Sequence, residues 1–269
     1  MSIGLSTYAF FWQGRTQGPT AAERPLDLPA MIDKTADWGV DRFQICDDPS
    51  IQGYDQGQLA ALRGQAERRG ITLELGTRGV HPDDLARYLR IAERLDVTLV
   101  RSMITSGDQR PSPADAVAWL RDALPAYEKA GVTLALETYE QVPTPTVVEI
   151  VATVGSRHLG VCLDPANSVA ALEHPSDTIA RTADLVVNLH VKDFTFSRQD
   201  GWVGFTLAGC PLGTGLLPYA ELLRVVRPSE RGISMIIEHW LPWQGDSATT
   251  IATEDAWTLH SLNHLRSTT

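Results

Sequence analysis

Cysteine is scarce in this chain. Three residues of 269, Cys46, Cys162 and Cys210, are too few and too scattered for a disulfide framework or a CxxC zinc site, which points to a reducing, cytoplasmic setting. Long apolar runs are missing too. No stretch of about 18 apolar residues occurs, and the opening MSIGLSTYAFFWQGR lacks a basic flank followed by an apolar core, so neither export nor a membrane partner is expected. Basic residues are outnumbered, 23 Lys and Arg against 33 Asp and Glu for a formal net charge of −10, which argues against nucleic acid as a partner. No G-x-G-x-x-G follows the first strand candidate, and no Lys-Ser/Thr pair closes the later glycine cluster into a P-loop.

What is present is an ordinary globular composition, 43% hydrophobic and 21% charged, in a length that suits one barrel domain over residues 1–269. β-rich runs alternate eight times with helical periodicity. The strand candidates are 3–9, 41–46, 71–75, 98–103, 132–137, 158–163, 185–190 and 233–237. Helices are predicted at about 28–38, 58–69, 82–95, 112–130, 146–154, 169–182 (broken), 218–226 and 249–266, with Pro82 opening one and Gly39, Gly70 and Gly131 closing others. Only residues 192–215 read as a long Gly-rich loop, and a loop of that length is usually functional. Eight apolar strands with helical crossovers imply a parallel sheet buried on both faces, and an α/β (β/α)8 TIM barrel is its simplest closed form.

Active sites of such barrels lie at the C-terminal strand ends. Four successive candidates close there on a metal-ligating residue type: VTLALE on Glu137, LGVCLD on Asp164, LVVNLH on His190 and ISMIIE on Glu238. Singly, each has a bland account. Asp164 before Pro165 suits a helix cap, His190 a satisfied core histidine, and Glu137 the partner of a neighbouring Arg. Together, three carboxylates at one mouth repel one another unless a cation is present, and an oxygen-rich set with one imidazole suits Mn2+, Mg2+, Co2+ or Zn2+. Lys192 is placed to neutralise a carboxylate, phosphate or enolate oxygen, the alternative being a surface lysine held by Asp193. Asn167 can hydrogen-bond a substrate hydroxyl but cannot titrate. Tyr8, Phe11 and Trp12, with Trp240 and Trp243, are candidates for an apolar wall over the site or, equally, for core packing or a subunit contact, whereas Gly209, Gly213 and Gly215 read as a tight turn.

The segments LALE at Glu137, CLDPAN at Asp164, NLHVKD at His190, PLGTG, and IIEHW at Glu238 carry a resemblance over nearly the whole chain. It resembles the xylose-isomerase-like barrels, which include sugar-phosphate isomerases/epimerases, ketose 3-epimerases and hydroxypyruvate isomerase. The resemblance implies a divalent metal, commonly Mn2+, held by Glu137, Asp164, His190 and Glu238. It further implies that Glu137 and Glu238 are the catalytic pair, shuttling a proton across a small carbohydrate or sugar-acid substrate. Related barrels are often dimers or tetramers, which leaves a homo-oligomer open. Two positions depart from the common pattern: many members have a His where this chain has Asn167, and ETYE adds Glu140, either a substrate contact or a solvent-facing carboxylate.

The leading expectation is therefore a metal-dependent sugar isomerase or epimerase that moves a proton next to a carbonyl through an enediolate. The alternative on the same scaffold is a lyase, in which loss of CO2 from a 3-oxo sugar acid, or of water, leaves the same kind of enolate. An endonuclease IV-type nuclease needs a cluster rich in His, whereas His81, His158, His174, His239, His260 and His264 fall mostly in helices or loops. A sugar-binding protein without catalysis is the other class, distinguished by binding without turnover.

Overall fold

Polar caps and left-handed glycines cut the chain into alternating pieces. The computed structural model describes residues 2–15, 20 and 22–268. Its first half runs Ile3–Ser6 (β1), Leu28–Asp37 (α1), Arg42–Cys46 (β2), Gln56–Arg69 (α2), Thr72–Gly76 (β3), Pro82–Leu95 (α3), Leu99–Ser102 (β4) and Pro113–Ala130 (α4). The second runs Thr133–Glu137 (β5), Thr144–Val154 (α5), Leu159–Leu163 (β6), Pro165–Val169 (α6), Pro175–Thr182 (α7), Val186–Val191 (β7), Asp193–Arg198 (β8), Phe205–Cys210 (β9), Tyr219–Val226 (α8), Pro228–Arg231 (α9), Ser234–Ile237 (β10) and Ser247–Thr268 (α10). Starts follow local chemistry: the Asp55 carboxylate accepts from Gln58 N while the Gln58 side chain accepts from Asp55 N, a reciprocal cap on α2. Gly131 ends α4 at φ 70°, where a side chain would be strained.

Eight strands close a parallel barrel in the order β1-β10-β7-β6-β5-β4-β3-β2, as the sequence predicts. Outward faces of the strands, such as Leu5, Phe43, Leu75, Leu134, Val161 and Leu189, are fully buried beneath the helices. Burial of each such side chain is worth about 1.5–3 kcal/mol. The inward faces are different. Gln44 on β2 donates to Asn188 Oδ1 on β7 at 3.1 Å, and these strands are not neighbours, so the bond crosses the barrel interior. Arg42, Glu74 and Ser234 join it, giving the lower barrel a polar filling where aliphatic layers are the rule.

Two predicted elements change most. The first strand, expected over 3–9, stops at Ser6, whose Oγ accepts from Tyr8 N at 3.0 Å and turns the chain into the 3-10 segment Thr7–Phe10. The expected loop over 192–215 is instead largely the antiparallel ribbon β8–β9. Its signal was the alternation in DFTFSR and FTLAGC, six-residue runs rich in Phe and Thr, which glycine content obscured. Among the described residues, no helix is long and apolar enough to cross a membrane.

Candidate metal centre

Glu137 ends β5, Asp164 follows β6, His190 lies near the end of β7 and Glu238 follows β10, so four neighbouring strands aim them at one point of the mouth. Ligand atoms of Glu137, Asp164 and His190 all lie within 4.8 Å of one another. Glu238 joins through Oε2, 3.5 Å from His190 Nδ1, against 3.3 Å for Glu137 Oε1 and 3.9 Å for Asp164 Oδ2. All four residues are buried.

The site passes a test of fit for a divalent ion. His190 Nδ1 makes no hydrogen bond although it is buried, and three carboxylate oxygens surround it. Meanwhile Lys192 Nζ sits 2.7 Å from Asp164 Oδ2 and 3.2 Å from Glu238 Oε2, an ammonium standing where the acids need positive charge. Carboxylate oxygens with one imidazole are the donor set of Mn2+, Zn2+ and related ions. The expected cap at Asp164 is also real: Oδ1 accepts from Ala166 N and Asn167 N, which leaves Oδ2 for the cluster.

Cations and donors set the charge of each acid. Burial pushes Glu137 up, but Arg101 and then His190 outweigh it and hold its carboxyl well below the usual carboxylate range. Arg101 Nη2 contacts Glu137 Oε2, while Asn167 Nδ2 donates to Glu137 Oε1 at 2.8 Å. Burial likewise raises Asp164, here to about 6 against the pull of Lys192. Glu238 stays below its ordinary value because His190 and Lys192 overcome burial, and Ser6 Oγ donates to its Oε1 at 2.9 Å.

The other expected residues divide. Lys192 is not a surface lysine held by Asp193 but a buried partner of two cluster acids, with Nζ 4.5 Å from the Trp240 ring. Tyr8 donates to Asp47 Oδ2 at 3.1 Å and lies two residues from the cluster, because Asp47 Oδ1 pairs at 2.9 Å with Arg101, which contacts Glu137. Glu140, half-buried in the turn after β5, makes no hydrogen bond or ion pair with the cluster. Trp12 packs on Trp243 with ring centroids 5.2 Å apart, and Tyr8, Phe11, Trp12 and Trp240 line a cavity of about 420 Å3 beside the mouth. A larger cavity, about 690 Å3, opens from Thr7 and Tyr8 to Asp47. The Gly213 to Gly215 turn has its own anion: Asp193 Oδ2 accepts from both glycine N–H groups at 2.9 Å, and Oδ1 from Leu217 N.

Sequence reasoning missed Arg101, Asp47, Gln44 and Ser6. Arg101 had the clearest signal, a lone charge in the apolar strand LVRS. Asp47 directly follows β2 with φ 53°, a left-handed conformation uncommon outside glycine and often found at functional positions.

The sequence profile of the xylose isomerase-like TIM barrel family matches residues 32–268. The chain belongs to that family. Within the curated proteins, this xylose isomerase-like barrel is 52% identical over 265 residues, 98% of the chain and 95% of the relative, to a protein of Pectobacterium atrosepticum named 3-oxo-isoapionate decarboxylase. Among solved structures, it is similar to D-psicose 3-epimerase of Clostridium cellulolyticum H10, with a TM-score of 0.74, 18% identity and coverage of 99% and 98% of the two chains. It is also similar to an IOLI protein with a binding zinc atom, at TM-score 0.72, 17% identity and coverage of 98% and 99%. At those identities the two structures show a shared fold.

Proposed function

We propose that the chain is a divalent-metal-dependent lyase that releases CO2 from a 3-oxo sugar acid. The observation that carries this reading is the 52% identity, across 98% of the chain, to the Pectobacterium decarboxylase. Fold likeness alone suits a sugar isomerase or epimerase equally well, so the state of Glu137 has to discriminate.

In a 3-oxo acid, the bond from the carboxylate carbon to the neighbouring carbon breaks and its electron pair passes to the ketone oxygen as an enolate. CO2 departs, and one proton drawn from water is added to carbon as the ketone re-forms. No proton is first taken from carbon, and no oxidant or reductant is consumed. Epimerisation instead needs a carboxylate free to take a C–H proton. Both oxygens of Glu137 are engaged, one by Arg101 and the other by Asn167, and Arg101 holds its carboxyl below the usual range, so it is a weak proton acceptor and suits a ligand better than a base.

Glu137, Asp164, His190 and Glu238 would hold the ion, Mn2+ being the expected one; bound there, it supplies Lewis-acid polarisation of the ketone oxygen. Ser6 and Lys192 orient Glu238. Lys192 also brings a buried positive charge to the place where negative charge develops on the substrate, and electrostatic help of that kind is commonly worth about 10²–10³ in rate. Tyr8, Phe11, Trp12 and Trp240 keep an apolar wall beside the mouth, which limits stray protonation by water.

The test is incubation with 3-oxo sugar acids and Mn2+ in D2O. The expected result is one CO2 per ketone formed, with deuterium on the carbon that lost the carboxylate. Exchange of deuterium into simple ketoses, with no CO2 from any 3-oxo acid, sinks the proposal and restores proton transfer as the leading reaction.

A further inference from the structure

His190 is addressed from below as well as from the mouth. Its Nε2 lies 2.8 Å from Gln44 Oε1, and the Gln44 amide has no freedom to turn over. The Gln44 NH2 group donates to Glu74 Oε2 and to Asn188 Oδ1, both at 3.1 Å. A flipped amide would set its oxygen against those two acceptors, and each buried donor or acceptor left without a partner costs about 1–3 kcal/mol. Glu74 is held in turn by Ser234 Oγ at 2.7 Å, Asn188 Nδ2 at 3.2 Å and Arg42 Nη1 at 2.9 Å, and Arg42 Nε donates to Ser2 Oγ.

We infer that Gln44, fixed by Glu74 in the polar filling of the barrel, is the positioning residue that gives His190 its Nε2–H form and turns Nδ1 toward Glu137, Asp164 and Glu238. The chain of bonds explains the polar interior. An aliphatic layer at the level of Gln44 and Glu74 would pack as well but would leave the imidazole free to rotate or to carry its proton on Nδ1. Outer partners of a ligating His typically contribute about 10–100-fold in metal affinity. The inference rests on the metal site proposed above, though not on the reaction proposed for it.

Two measurements on the full chain test it. The first needs no variant: long-range 15N–1H NMR of His-labelled, Zn2+-loaded protein should show His190 bound through Nδ1, with a slowly exchanging proton on Nε2. Coordination through Nε2 overturns the inference. The second compares Zn2+ affinity, by competition with a chromophoric chelator, for wild type, Gln44→Met and Gln44→Glu. Gln44→Met keeps the length without the acceptor and should bind Zn2+ about 10–100-fold more weakly, with loss of the slow Nε2 proton. Gln44→Glu restores an acceptor for His190 and should recover the slow proton, at a loss of thermal stability because its second oxygen then faces Glu74 Oε2 and Asn188 Oδ1. A Gln44→Met protein with wild-type affinity and spectrum refutes the role of Gln44. A wild type that binds no Zn2+ refutes the metal site itself, and in either case CO2 release from a 3-oxo acid is scored independently.

Discussion

Arg101 offers the sharpest test of how charge is balanced at the mouth. Its side chain is only 3% exposed, and it lies between Asp47 Oδ1 at 2.9 Å and Glu137 Oε2, side chains that are themselves 7% and 1% exposed. Nη1 also donates to Thr77 O at 2.9 Å. Arg101→Met retains most of the aliphatic stem but leaves buried Glu137 without its nearest counter-charge and Asp47 with Arg78 alone, at 3.1 Å, a change that usually costs about 3–5 kcal/mol. In a chain of this size that is a fall in Tm of roughly 6–20 °C. Metal should offset part of the loss, because a cation at Glu137 supplies the missing charge. Thermal or urea unfolding of wild type and variant, each with EDTA and with Mn2+, reads both effects. The expected pattern is a large loss in EDTA and a larger Mn2+-induced rise in the variant than in wild type. A loss below about 1 kcal/mol, typical of an exposed ion pair, would refute the buried-clamp account, and an Mn2+ response equal to that of wild type would separate Arg101 from the cation site.

Three further outcomes follow from individual side chains. Lys192→Met removes the positive charge at Asp164 and Glu238 and should lower kcat for CO2 release about 10²–10³-fold, a loss under tenfold counting against its role. Burial lifts Glu254 from 4.5 to about 7 despite donation from Trp12 N and Gln13, so between those pH values the folded chain holds a proton that the unfolded chain has released. Stability should therefore fall as pH rises through that window, by about 3 kcal/mol, and Glu254→Gln should flatten the slope; equal slopes in paired melts reject the assignment. Asp193→Ala unties the N–H groups of Gly213, Gly215 and Leu217 and should destabilise by about 3 kcal/mol or more, with CO2 release per folded molecule little changed.

The parts legible in the sequence were those governed by local or periodic chemistry. Mostly apolar runs closed on Glu137, Asp164, His190 and Glu238 because the outward faces of barrel strands are buried beneath the helices, and the structure brings those four ends together. Helix boundaries such as Pro82–Leu95 were readable because a proline and a cap are local signals. Gln44, Glu74 and Asn188 carry no such mark: their partnership spans β2, β3 and β7, and depends on which side of each strand faces inward. Arg101 was visible as an anomaly in LVRS, but its two carboxylate partners lie at the ends of β2 and β5. The β8–β9 ribbon was lost for another reason, since short antiparallel runs beside glycines look like loop until their register is known.

The link from Arg101 to Glu137 also bears on why one barrel serves different reactions. An epimerase must leave two carboxylates able to exchange protons with carbon, whereas a decarboxylase gains by suppressing such exchange, because its ketone product has acidic C–H bonds next to the carbonyl. On the proposed reaction, Arg101 and Asn167 would do this at Glu137 by occupying both of its oxygens and lowering its basicity. Wild-type protein incubated with the ketone product in D2O should therefore exchange deuterium far more slowly than it releases CO2 from the 3-oxo acid. Arg101→Met, to the extent that it folds with Mn2+, should narrow that gap by freeing Glu137 Oε2. Exchange as fast as decarboxylation in the wild type would show that Glu137 or Glu238 still works as a base, and the clamp would then be a structural ion pair with no part in the choice of reaction.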